Sequence, residues 1–263
     1  MNSKSPKKHC LSVSIIASNE EQNLARCLES IRGIDTQVAL VHNDCHDKTV
    51  EIAQRFDAKC YEVKWHGHRD QKNIALEKTT NEWILCLDAD EALSLELKES
   101  IVSFLSSKKI CEFDGGRFNR KSYCLGKWIR HGDWYPDKKI RLVRRGKGKW
   151  TGSQEHDKLT VNGKVKHLKG DLLHFSYPTL NSFLEKTIYF SDIFAQRSLK
   201  KKRSIYTFNI VLRSIWRFFR AYILRLGFLD GFPGLFIAVA NAYSTFFRHS
   251  KVYEIKIKKK LKK

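Results

Sequence analysis

Residues 83–93 read WILCLDADEAL. Five apolar residues, Trp83 to Leu87, run without a break into Asp88, Ala89, Asp90 and Glu91. An unbroken apolar run of this length suits a strand covered on both faces. Ending it on three acids gathers negative charges that repel one another, so the cluster needs a positive counterpart. The residues upstream repeat the pattern. LSVSIIA (11–17) reads as a buried strand, and EEQNLARCLESI (20–31) as a helix with Ser18-Asn19 as its expected cap. QVALVHN (37–43) and KTVEIAQRF (48–56) give a second strand and helix. KCYEVKW (59–65) and the segment from Arg69 to Lys78 give a third pair. Strand and helix alternating through short links predict an α/β fold: a parallel sheet with helices on both faces. Such sheets bind ligands beyond the carboxyl ends of their strands. Here those ends read SNEE, NDCHD, HGHRD and DADE, which brings the polar residues to one edge.

Beyond about residue 113 the pattern changes. IRLVRR (140–145) and KLTVNGKVKHL (158–168), with Asn162-Gly163 as a hairpin turn, predict an antiparallel extension. After Tyr177-Pro178 the chain reads as helical. Within 207–247, Arg213, Arg217 and Arg220 share one helical face among Ile, Trp, Phe, Tyr and Leu. The uninterrupted apolar piece, Leu235 to Ala240, is short against the ~20 residues that a membrane span needs. The pattern predicts a basic amphipathic helix lying in the plane of a membrane surface. The competing reading is a helical core.

The net charge is +21 and concentrates after residue 117, peaking in LKKKR (199–203) and KIKKKLKK (256–263). Such an excess suits an anionic partner: nucleic acid, a membrane or an anionic substrate. No RNA-binding or helix-turn-helix pattern is present, and the aromatics lie in an apolar helical tail, so no nucleic acid is expected. Seven cysteines without a CxxC pair predict free thiols in a reducing compartment. HGHRDQ (66–71), with His42 and His46, lacks the Cys/His spacing of a zinc site. The opening MNSKSPKKHCLSVSIIA mimics a signal peptide only weakly, and a first strand is expected instead.

Asp88 and Asp90 stand two apart at a strand end and would face one side. Two hard oxygen ligands suit Mg²⁺ or Mn²⁺, which bridge to phosphate. The cation and its anionic partner would then relieve the repulsion. The competing reading is a loop in which an Asp caps the next helix, from Ser94 onward.

The segments LSVSIIASNEEQNLARCLESI, HDKTVEIAQRFDAKCYE and QKNIALEKTTNEWILCLDADE resemble the amino-terminal half of inverting family-2 glycosyltransferases. The later segments WYPDKKIRLVRRGKGKWTG, EHDKL, LKGDLLHFSYPTLNSFLEK and LGFLDGFPGLFIAVANAYSTFFRHSKVYE resemble the lipopolysaccharide-core glucosyltransferases of that family. The resemblance implies a GT-A catalytic domain over 1–177, with a nucleotide-binding α/β core and a mixed sheet. A basic, helical, membrane-associating region would follow over 178–263. It implies transfer of a hexose, with UDP-glucose as the expected donor, to the lipopolysaccharide inner core. The place would be the cytoplasmic face of the inner membrane, peripherally bound. A different polyanionic acceptor, or a non-catalytic glycolipid-binding relative, is the alternative.

By the same resemblance, Asp90 is the main contact of Mn²⁺ or Mg²⁺, Asp88 lies nearer the ribose or the metal, and His174 completes the metal site. Asp157, after His156, is the expected base, with Glu155 as fallback. Gln71, Lys72 and Asn73 match a motif near the nucleotide or donor sugar. Ala17, Asn19, Glu20, Asp44, Asp47 and Ala89 are expected on the donor side. Arg141, Arg144 and His156 are expected at acceptor or phosphate groups. One departure stands out. The family's Asp-Ser-Gly-Ser-Thr-Asp stretch, whose first Asp helps hold the nucleotide's base, reads His42-Asn43-Asp44-Cys45-His46-Asp47, so either Asp44 takes over the contact to the nucleotide's base or the nucleotide preference or activity is altered.

Overall fold

The computed structural model describes residues 11–153, 156–176, 179–200 and 207–261. The chain forms two compact units, one of residues 1–120 with 137–174, the other of 121–136 with 175–263.

In the first unit, β1 (Leu11–Ala17), β2 (Thr36–His42), β3 (Lys59–Glu62) and β4 (Trp83–Asp88) are parallel and lie in the order β3-β2-β1-β4. Helices α1 (Glu21–Ser30), α2 (Thr49–Arg55) and α3 (His68–Glu77) connect them. The register sets Ala17 beside His42, Ile16 beside Asp88 and His42 beside Glu62, so the carboxyl ends meet at one edge. After β5 (Glu91–Leu93), α4 (Leu95–Leu105), β6 (Gly115–Cys124) and β7 (Lys127–Trp128), β8 (Asp137–Arg144) runs antiparallel to β4. β9 (Gly148–Ser153) pairs with β10 (His156–Val161) in a separate two-stranded sheet, and β11 (Val165–His174) runs antiparallel to β5. The main sheet is mixed, in the order β3-β2-β1-β4-β8-β6-β11-β5, as the GT-A expectation requires.

The unbroken apolar run has a physical reason. Trp83, Leu85 and Leu87 pack on one face with Leu24 and Leu28 of α1 and with Leu97 and Ile101 of α4. Ile84 and Cys86 pack on the other face with Val143, Trp150 and Leu159. Each such side chain contributes about 1.5–3 kcal/mol when fully buried. Burial pushes the Cys86 thiol up to about 12, which leaves it unreactive.

Two local expectations fail. Ser18-Asn19 does not cap α1; the cap position is Glu20, and Asp47 accepts the Glu21 amide at 3.0 Å from the neighbouring loop. Asn162-Gly163 does not close a hairpin, because β10 and β11 pair with other strands. The turn carries the chain from one sheet to the other. A side chain at Gly163 would strike Asp114, so glycine is required there.

In the second unit, α5 (Leu180–Lys200) and α6 (Thr207–Phe219) both pack on α7 (Phe232–Leu261). After α6 the helix widens to a π turn over Arg220–Leu224, where the Arg225 amide donates to the Arg220 carbonyl at 2.9 Å. The segment 121–136 belongs to this unit, whereas the sequence placed it in the first. Two acids attach it. Asp230 accepts the amides of Arg130 and His131 at 3.0 and 2.8 Å, and Asp133 pairs with three arginines. Cys124 and Ile129 also pack against Ile237 of α7. Among the described residues, no helix is long and apolar enough to cross a membrane.

Candidate functional site

The acid cluster divides between three elements. Asp88 ends β4, Ala89 and Asp90 form a turn, and Glu91 opens β5, so Asp88 and Asp90 do not share a strand face. No Asp caps the following helix; the Ser94 hydroxyl does so, accepting the Leu97 amide at 3.2 Å.

The chain itself supplies positive charge to the cluster. Asp88 Oδ1 lies 2.8 Å from Lys72 Nζ, and Asp88 Oδ2 accepts from Arg141 Nη2 at 2.6 Å. Arg141 Nη2 also donates to Glu91 Oε1 at 2.7 Å, and Glu91 Oε2 accepts the Asp88 amide at 3.0 Å. Lys72 reaches on to Asp157 Oδ2 at 3.0 Å, an ion pair without hydrogen-bond alignment. Both cations lie over the Trp150 ring, at 4.5 and 5.2 Å from its centre, which adds cation–π attraction. Burial works against the Asp88 carboxylate, but Arg141 and Lys72 outweigh it and hold its pKa well below the usual range. Burial likewise opposes the Lys72 ammonium, and Asp88 with Asp157 holds its pKa above the ordinary lysine value. The repulsion is therefore relieved in part by Lys72 and Arg141, where the sequence pointed to a metal alone.

That arrangement reassigns the candidate metal ligands. Both Asp88 oxygens are committed to cations of the chain. Asp90 Oδ2 faces His174 Nε2 at 3.3 Å, a pair assembled because β5 and β11 align Glu91 with His174. His174 Nδ1 is buried without a partner. Among the described residues, no three His, Cys, Asp or Glu side chains converge as a closed metal cage. Asp90 and His174 fit instead as two protein ligands of a hard cation completed by diphosphate oxygens and water.

The remaining expected residues fall into place as follows. Of Gln71, Lys72 and Asn73, only Lys72 reaches the acids. Gln71 is buried and donates to the Val63 carbonyl at 3.1 Å. Asn73 exchanges two hydrogen bonds with the Trp150 backbone, at 3.0 and 2.9 Å, and so fixes β9 to α3. Arg141 is only 4% exposed, and its Nη2 holds the Asp88 and Glu91 carboxylates. Arg144 sits beside Trp83 at the far end of β4, paired with Glu82 at 2.9 Å, outside the site.

The loop after β2 is committed to structure. Asp47 accepts the amides of Glu21 and Thr49, and Asn19 accepts the His46 amide at 2.8 Å. The Glu20 amide donates to the Thr49 hydroxyl at 2.7 Å. Asp44 pairs with His46 at 3.0 Å and is largely exposed. Ala17 is buried at the end of β1. Glu155 and the His156 side chain lie outside the described residues. Three residues escaped the sequence reading: Glu91, Trp150 and Arg120, which lies 3.6 Å from Glu91. Glu91 stood inside the motif, but a motif does not show which acid is fully buried.

The sequence pattern of glycosyl transferase family 2 matches residues 12–159, a stretch holding Lys72, Asp88, Asp90, Arg141 and Asp157. The chain belongs to that family. An uncharacterized glycosyltransferase of Rickettsia typhi is 29% identical over 94% of this chain and 88% of its own. The lipopolysaccharide core biosynthesis glycosyltransferase LpsC of Rhizobium meliloti is 27% identical over 93% and 92%. A crystal structure of S. aureus TarS 1–349 with UDP-GlcNAc is similar at a TM-score of 0.49 and 11% identity, covering 95% of this chain and 92% of that one. The family-2 assignment fixes the reaction class as glycosyl transfer.

Proposed function

We propose that this protein transfers a hexose from UDP-glucose, with inversion, to the inner core of lipopolysaccharide at the cytoplasmic face of the inner membrane, where it binds peripherally. The observation that carries the proposal is the convergence of the Asp90–His174 pair with the Lys72-bridged Asp88 and Asp157 at one sheet edge. The named activity of the LpsC relative supports the acceptor class.

The chain's own residues divide the work. Asp90 and His174 would hold Mn²⁺ or Mg²⁺, which when bound stabilises the charge on the departing diphosphate. Asp157 takes the proton of the attacking hydroxyl, and Lys72 orients Asp157 from 3.0 Å. Arg141 fixes the Asp88 carboxylate beside the donor site. The buried, unpartnered His42 Nδ1 and Asn43 Oδ1, at and just after the end of β2, offer polar contacts to the nucleotide. The test is UDP release from UDP-glucose by purified protein, with and without truncated lipopolysaccharide and with and without Mn²⁺. Acceptor-dependent, metal-dependent release supports the proposal. Release from another sugar nucleotide alone would refute the donor.

A further inference from the structure

Helix α6 is amphipathic, but its apolar stripe faces outward. At ~100° per residue, Phe208, Val211, Leu212, Ile215, Trp216 and Phe219 fall in one arc. All are exposed, Phe208 by 71%, Ile215 by 59% and Trp216 by 57%. The inward arc carries Ile210 and Ser214. A helix that packs only as core turns its apolar stripe the other way. Among the described residues, the same unit holds every exposed large apolar side chain except Trp65, Leu95 and Val102.

Between the two arcs stand Arg213, Arg217 and Arg220. Asp133, 1% exposed, lies 2.9 Å from Arg217, 2.7 Å from Arg220 and 3.0 Å from Arg225. One carboxylate cannot neutralise three guanidiniums. Arg213 and Arg248 add two more with no acidic partner among the described residues, and Arg248 Nε is buried without a hydrogen bond. Burial, with Arg217 and Arg213 nearby, presses the Arg248 pKa down. Burial, with Arg248 and Arg213 nearby, holds His249 down at about 4. Guanidiniums gathered in this way repel one another unless an anion joins them. Their planar fork matches a phosphate bidentately.

We infer that this arginine cluster binds the phosphate of an anionic lipid headgroup, while the outward stripe of α6 enters the apolar margin of the same lipid surface. The inference rests on the peripheral-membrane part of the proposed function. Charge complementarity supports a lipid occupant. The unit carries 21 Lys and Arg against five acids, and two of the five, Asp133 and Asp230, are buried as internal acceptors.

The test is co-sedimentation of the full chain with vesicles of phosphatidylglycerol or of phosphatidylcholine alone. Arg213→Gln with Arg248→Gln leaves the Asp133 contacts intact. Lys256→Gln with Lys258→Gln removes the same charge from the tail. We expect binding to phosphatidylglycerol only, weakened at least tenfold by the arginine pair and by about threefold or less by the lysine pair. If the double arginine variant does not fold, exposed Arg213→Gln alone is compared with Lys256→Gln. Equal losses from the two sites, or equal binding to both vesicles, would overturn the inference. Full competition by millimolar inorganic phosphate would also overturn it, by assigning the cluster to free phosphate. UDP release with truncated lipopolysaccharide and Mn²⁺ but no vesicles is measured in parallel. Its absence in a wild-type protein that still needs the arginines for vesicle binding would sink the transferase reading alone.

Discussion

The two units handle charge in opposite ways. In the first, the carboxylates of Asp88, Asp90, Glu91 and Asp157 converge, and the chain sets two inner cations, Lys72 and Arg141, among them. In the second, one inner carboxylate, Asp133, faces three guanidiniums, with Arg213 and Arg248 beyond them and without an acidic partner among the described residues. Neither set is fully neutralised, because a fully paired cluster would have no electrostatic reason to take up a ligand. The residual sign agrees with the ligand proposed for each: a divalent cation with its diphosphate in one, an anion in the other. The apolar surface follows the same division. β4 is covered on both faces, whereas α6 turns its stripe outward.

The strongest test removes a ligand from the acidic set. Asp90→Ala should lower transfer by about a thousandfold or more, while the melting temperature without metal stays unchanged. Substantial residual turnover would end its proposed metal role. Next, Asp157→Asn should lower turnover by about 10²–10⁴-fold, the usual weight of a general base, with donor binding retained in a calorimeter. Turnover near wild type would place the base elsewhere. A matched pair of core and surface truncations then compares the apolar faces. Leu85→Ala should cost about 2–5 kcal/mol in urea unfolding, and Ile215→Ala less than about 0.5 kcal/mol. Comparable costs would mean that the α6 stripe is packed in solution.

The smallest expected effect is in the pH dependence. His249 has a depressed pKa, so the unfolded chain binds more protons between pH 6.5 and about 4. The helical unit should therefore lose stability as pH falls through that window, and His249→Phe should flatten the slope. Asp88 is also depressed, from 3.8, so its stabilisation is complete above the unfolded value and is lost only as pH falls through the lower folded one. Acid should thus soften the helical unit before the α/β unit. Simultaneous loss by near-UV circular dichroism and hydrogen exchange would contradict this order.

The α/β half was legible because local patterns determine it. β1, β4 and α3 lie within a residue of their expected bounds, and the short links left few topologies. What was hidden depends on distance in sequence. Lys72 was matched to a motif together with Gln71 and Asn73, yet only Lys72 points at the acids; the other two meet Val63 and Trp150. Arg141 and Arg144 looked equivalent, but a three-residue step along β8 puts one at Asp88 and the other beside Trp83. Segment 121–136 could not be assigned to the helical unit, because its attachment is through Asp133 and Asp230, contacts that leave no periodic trace.

The π turn at Arg220–Leu224 has a consequence for how this chain tolerates insertions and deletions. It holds about one residue more per turn than the α-helix before it and leads into Arg225, which joins Arg217 and Arg220 at Asp133. Deleting one residue between Arg220 and Arg225 would let the turn close as a regular α-helix, with the Arg225 amide still on the Arg220 carbonyl, now one residue nearer in sequence. Arg225 would keep its direction toward Asp133, whereas the same deletion within α6 would turn everything after it by ~100°. Relatives one residue shorter in this turn should therefore keep the acid at position 133, and those one residue shorter within α6 should not.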